Sequence, residues 1–200
     1  MNPIHETYLD MARAFESAGK FGQALTWYQK IEGNPDVYET IGEYYYLGRG
    51  CGKDKVSAKR FFQRAAEFGN IDALCNLALC EESYDLKHTY YSKAAENGSA
   101  YAMNMLGIIL EDMKPEAIGS NEVIQWYKKA ADMGSAIGCY NYAINVADAE
   151  VKIRYLEKAV AMDCVIAMEK YMAYLNKGQY CKRDPKKAEA IKKRIEQTKK

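Results

Sequence analysis

One short motif returns down the chain, and its recurrence limits the fold more than any other feature. An aromatic pair, two small residues and a turn read Phe61-Phe62-Gln63-Arg64-Ala65-Ala66-Glu67-Phe68-Gly69, then Tyr90-Tyr91-Ser92-Lys93-Ala94-Ala95-Glu96-Asn97-Gly98. The pattern continues as Trp126-Tyr127-Lys128-Lys129-Ala130-Ala131-Asp132-Met133-Gly134 and, more loosely, as Tyr155-Leu156-Glu157-Lys158-Ala159-Val160-Ala161-Met162-Asp163. An earlier relative is Trp27-Tyr28-Gln29-Lys30-Ile31-Glu32-Gly33. The turn positions Gly33, Gly69, Gly98, Gly134 and Asp163 are separated by 36, 29, 36 and 29 residues, so long and short units alternate, and a further 36 reaches Lys199. A unit of this length cannot bury an apolar face by itself and must stack on its neighbours. The expected fold is all-α, a right-handed α-α superhelical solenoid of about six antiparallel helix pairs, forming one domain over 1–200.

Each unit reads as helix A, a loop and helix B. Helix A of the first clear unit runs from Val37 to Leu47, with Val37, Ile41, Gly42 and Tyr45 on one stripe. Equivalent stripes are Ala73, Leu77 and Ala78; Ala102, Leu106, Gly107 and Leu110; Gly138, Tyr142, Ala143 and Val146; and Ala167, Tyr171 and Leu175. The small residues allow close helix approach, and Met172 breaks that rule in the last unit. Asp54, Ser83, Asp148 and Asp184 are the expected caps of helix B, with Ser120 or Asn121 serving after Gly119. The expected units are 34–69, 70–98, 99–134 and 135–163. An ordinary helix pair at 5–33 precedes them, and a last unit at 164–200 ends in a basic capping helix. From Lys182 to Lys200 nine basic residues face three acidic ones, as a polar solenoid end requires.

Composition removes several function classes. A net charge of +1 supplies no global field for nucleic acid. No apolar run approaches the length of a membrane span, and the first residues show no signal-peptide pattern. The two histidines, His5 and His88, sit in no motif, and Cys75 and Cys80 diverge on a helix, so no metal or catalytic residue is assigned and no cofactor is expected. Gly48-Arg49-Gly50-Cys51-Gly52-Lys53 lacks phosphate-loop spacing. The six cysteines follow no repeat register apart from Cys51 and Cys181, which points to free thiols in the cytoplasm.

The units resemble the Sel-one-like repeat family, relatives of tetratricopeptide repeats. The residues that carry the resemblance are Ile41-Gly42, Tyr45, Gly48-Arg49-Gly50, Asp54, Ala58, Phe61-Phe62, Arg64-Ala65-Ala66 and Gly69. Leu106-Gly107 with Trp126-Tyr127-Lys128-Lys129-Ala130-Ala131 and Gly134 carry it again. The resemblance covers about 36–200 and implies a non-enzymatic adaptor or scaffold, with helix A lining an inner surface. Specialised versions are an immunity or antitoxin protein and a host-directed effector. Some secreted cysteine-rich relatives bind or hydrolyse β-lactams, but their regular cysteine pairs are absent here.

If helix A lines the inner surface, the residues flanking its packed stripe meet the partner. They are Arg13 and Glu16; Asp36, Glu39, Glu43 and Tyr46; Asp72, Leu79 and Glu82; Tyr101, Asn104, Ile108 and Glu111; and Ile137, Tyr140 and Ile144. The first part of this set is acidic and the second apolar and aromatic. The expected partner is another protein, with basic residues at one end of the bound segment and an apolar anchor near Tyr140 and Ile144.

Overall fold

Side-chain oxygens set the start of eight helices in the computed structural model, which describes residues 3–198. Asp54 accepts from the amides of Val56 and Ser57, Asp148 from Val151 and Asp184 from Lys187. Ser120, not Asn121, is the cap after Gly119. A second series stands immediately after each turn. Asn34, Asn70, Ser99 and Ser135 each accept from an amide in the first turn of helix A. Orphan amide donors are satisfied at both helices of a unit in this way. Cys164 occupies the same position in the last unit and makes no cap bond.

Twelve α-helices result among the described residues, and no strand. They are α1 (Pro3–Ser17), α2 (Phe21–Tyr28), α3 (Pro35–Leu47), α4 (Lys55–Glu67), α5 (Ile71–Cys80) and α6 (Tyr84–Glu96). Then follow α7 (Ala100–Met113), α8 (Asn121–Asp132), α9 (Ala136–Asn145), α10 (Ala149–Ala161), α11 (Val165–Lys177) and α12 (Pro185–Thr198). Odd-numbered helices are helix A of their units and even-numbered ones helix B. The second helix of the pair expected at 5–33 stops at Tyr28, and Ile31 beyond it is buried. The sixth turn position, Lys199, lies outside the described residues. The chain divides into two compact units, Met1–Ala94 and Ala95–Lys200.

Within each unit the core alternates small and large. A Cβ on Gly42 would stand 2.5 Å from the ring of buried Phe62, and one on Gly107 would stand 2.5 Å from the ring of buried Tyr127. The register pairs helix A position 42 with helix B position 62, giving Gly42/Phe62, Ala78/Tyr91, Gly107/Tyr127, Ala143/Leu156 and Met172/Lys192. In register the rings pair with glycine or alanine, Leu156 pairs with alanine, and Lys192 pairs with the larger Met172, which packs on the core of the second unit.

The ends of α3, α11 and α9 show two kinds of closure. In the long units at α3 and α11 the loop folds back. Gly48 and Gly178 take the left-handed conformation, and the amides of Asp54 and Asp184 bond to the carbonyls of Tyr45 and Leu175. The short unit at α9 has no such loop. There the Lys152 ammonium, in a side chain only 6% exposed, donates to the carbonyls of Ala143 and Ile144 at 2.9 and 3.3 Å. Burial, then the charge of Lys170, lowers its pKa. The equivalent helix B positions of the long units hold the buried apolar Ala58, Val123 and Ala188, and the other short unit has the half-buried Lys87 there.

The size exchange yields a test. Gly107→Ala should lower stability by about 1–3 kcal/mol, because the added methyl overlaps a packed ring. In a Tyr127→Leu background, which mimics Ala143/Leu156, the same change should cost clearly less. Urea unfolding of the four members of the cycle measures the coupling.

Candidate partner-binding surface

The residues flanking the packed stripe of helix A divide into three groups once placed. The first group is held by the fold. Both carboxylate oxygens of half-buried Glu16 accept phenol protons, from Tyr28 at 2.7 Å and Tyr44 at 2.9 Å. Burial first, and then these bonds to Glu16, raise both phenol pKa values. Asn104 is 4% exposed and accepts from Asn141 at 2.8 Å. Glu111 accepts from the Tyr127 hydroxyl at 2.8 Å. These three residues were expected to face a partner. Their hydrogen bonds tie helix to helix instead, since a buried phenol or amide left unpaired costs about 1–3 kcal/mol.

The second group forms an acidic face on α3 and α5 in the first unit. Half-buried Glu39 receives a hydrogen bond from Asn76 across the two helices at 3.1 Å. Its pKa is raised by burial, and then by the charges of Glu43, Asp72 and Asp36, so these four carboxylates share one neighbourhood. Asp36 and Asp72 are exposed, and Glu43 is half-buried. Asn70 donates to Asp36 at 3.4 Å. Beside this face a pocket of about 230 Å³ opens between α1 and α3, where Arg13 and Asp36 stand over Leu9, Val37 and Tyr28. Tyr46 packs partly into the core of its unit. Leu79 and Glu82 are exposed at the end of α5.

The third group is an apolar wall on α7 and α9 in the second unit. Tyr101, Ile137 and Ile144 are 49%, 41% and 38% exposed. Ile108 and Tyr140 lie partly buried against the core below them. The Asn141–Asn104 bond couples the two helices, as Asn76–Glu39 couples α3 and α5, and each bond spans 37 residues. At one register position of helix A the residue changes from Asp36 and Asp72 to Tyr101, Ile137 and Ile166. The two faces thus offer opposite chemistry in the same place of the repeat.

No group of metal-ligating side chains forms among the described residues. All six cysteines are free, and Cys75, Cys139 and Cys164 are buried. No helix among the described residues is long and apolar enough to cross a membrane.

Comparison with known proteins gives the repeat a context. The Sel1 repeat family model matches residues 41–70, 88–99, 124–135 and 170–190. No curated protein matches the chain. A Sel1 repeat protein from Oxalobacter formigenes superposes with a TM-score of 0.81 at 22% identity, over 96% of this chain and 85% of that one. The protective antigen c5321 of uropathogenic Escherichia coli, described as having an SLR fold, gives a TM-score of 0.78 at 19% identity. That match covers 96% of this chain but 45% of c5321, so this chain spans less than half of that protein. YrrB, a TPR protein with an unusual peptide-binding site, gives 0.51 at 20% identity over 82% of this chain and 89% of its own. The α-α solenoid fold class follows from these likenesses together with the helix order.

Two tests separate the groups. Glu16→Ala should destabilise the protein by about 2–3 kcal/mol, because two buried phenols lose their acceptor. Glu43→Ala should change stability by less than about 0.5 kcal/mol, and urea denaturation compares the two. The pH dependence of Glu39 follows from its sign. A carboxyl raised in the fold above its ordinary 4.5 opposes folding when ionised. That penalty is absent below the ordinary value and full above the folded one. Glu39→Gln should therefore raise Tm at pH 7 by about 1–2 °C, a figure discounted for solvent screening. The gain should fade as pH falls towards 4.5, and calorimetry across that range checks it.

Proposed function

We propose that this chain, which matches the Sel1 repeat model in four places, is a non-enzymatic adaptor that holds a partner polypeptide on the helix-A faces. Sel1 and tetratricopeptide-like folds commonly mediate protein–protein interaction, and proteins of this kind are generally scaffolds, not enzymes. The observation that carries the reading is the exposed apolar wall of α9. Ile137 and Ile144 stand in solvent beside Tyr140, on the side of the helix away from buried Cys139, Tyr142 and Ala143. Large apolar side chains grouped on one face mark interaction surfaces, and tyrosine anchors bury much area with little loss of rotamer freedom.

The acidic face of α3 and α5 adds charge preference. Four neighbouring carboxylates, with no lysine or arginine ion-paired to them among the described residues, favour a partner that presents lysine or arginine there. The reading assigns basic side chains of the partner to the first unit and apolar ones to the second. Free cysteines support a reducing compartment, and we place the protein in the cytoplasm.

Affinity capture of partners, identified by mass spectrometry and repeated with variants, tests the reading. Glu39→Arg with Glu43→Arg should weaken binding of the captured partner at least about tenfold and make the remainder less sensitive to salt. Tyr140→Ala with Ile144→Ala should weaken it by a similar factor or more. Thermal melts should show both variants folded. Unchanged affinity in both variants would remove the helix-A faces from the interaction.

A further inference from the structure

The chain itself contains a basic surface that complements its acidic one. Helix α12 buries Ala188, Ile191 and Ile195. Two of its cations are used internally: Lys187 bonds to Glu157 and Tyr171, and Arg194 pairs with Asp163. Lys186 and Lys193 are exposed on the side opposite the buried stripe, and no ion pair holds either of them among the described residues. They are seven residues apart, which is about 10.5 Å along a helix axis. On α3, Asp36 and Glu43 are also seven residues apart, with Glu39 between them. Between the two lysines stand Glu189, one turn from each, and the small Ala190.

We propose that the acidic face of α3 and α5 in one copy receives the lysine face of α12 from a second copy. This rests on the reading of the helix-A face as a binding surface and names its occupant. Charge of opposite sign at matched pitch steers encounter and fixes register. The contact joins two different patches, so it is heterologous and builds either a closed ring or an open chain of copies. An open chain leaves one acidic face free at one end and one basic helix free at the other, and a closed ring leaves neither.

The test uses the full chain in sedimentation equilibrium, over a range of protein concentrations. The average mass should rise with concentration at low salt and fall to that of the monomer at about 0.5 M salt. Lys186→Glu with Lys193→Glu should raise the dissociation constant at least about tenfold, and so should Asp36→Lys with Glu43→Lys. Mixing the two reversed variants should restore association, because each supplies the charge the other lacks. A wild-type chain that stays monomeric at every concentration overturns the proposal, as does association that survives both reversals. Binding of α12 to phosphatidylserine vesicles without self-association overturns it as well. A synthetic oligolysine peptide provides the separate control. If the monomeric chain binds this peptide and the Asp36/Glu43 variant does not, the acidic face remains a binding surface and only its occupant is wrong.

Discussion

The fold depends on a size exchange between the two helices of each unit. Helix B brings a ring or a leucine to the interface, and helix A yields a glycine or alanine opposite it. At Gly42 and Gly107 there is no room even for a methyl group. Glycine in the middle of a helix costs about 1 kcal/mol in propensity, so its presence marks a place where packing decides. The buried row Ala65, Ala94, Ala130 and Ala159 on helix B extends the same principle. Close packing draws the helices of each unit together, and the side chains on the outer side of helix A are left available for other work.

The polar groups follow from that packing. Close helices bury phenols, amides and helix ends, and each of these needs a partner. Glu16 serves Tyr28 and Tyr44, and Glu111 serves Tyr127. Lys152 takes the place of a loop at the end of α9, and its aliphatic stem fills a position that is alanine or valine in the long units. Two acidic residues along the helix-A side, Glu16 and Glu111, therefore serve the packing of the fold.

Much of this could be read from the amino-acid order. The 36- and 29-residue spacing predicts the helix pairs, and the caps at Asp54, Asp148 and Asp184 follow from residue type at a fixed register. The left-handed turn at Asp163 follows from its place among glycines, and its φ is 58°. Asn34, Asn70, Ser99 and Ser135 carried an equally regular signal, a polar residue directly after each turn, which the glycine beside it overshadowed. The role of Glu16 left no local trace, because its partners lie 12 and 28 residues away. Helical spacing places Asn104 beside the stripe but cannot tell that Asn141 of the next helix A covers it. The acidic and apolar faces were legible because repeat register aligns Asp36 and Asp72 with Tyr101 and Ile137.

The alternation of long and short units has a consequence for how such a chain grows. A long and a short interval together span 65 residues, and the bonds Asn76–Glu39 and Asn141–Asn104 recur at that separation. Loop closure at α3 and α11 belongs to long units and the lysine cap at α9 to a short one, so the repeating module is the doublet. Duplication or deletion of one doublet keeps long and short intervals in alternation and keeps the register that sets Gly42 against Phe62 and Gly107 against Tyr127. Removing a single unit would bring two like ends together. Evolution or engineering can thus lengthen the helix-A wall in steps of two pairs, and each step can carry its own acidic or apolar character.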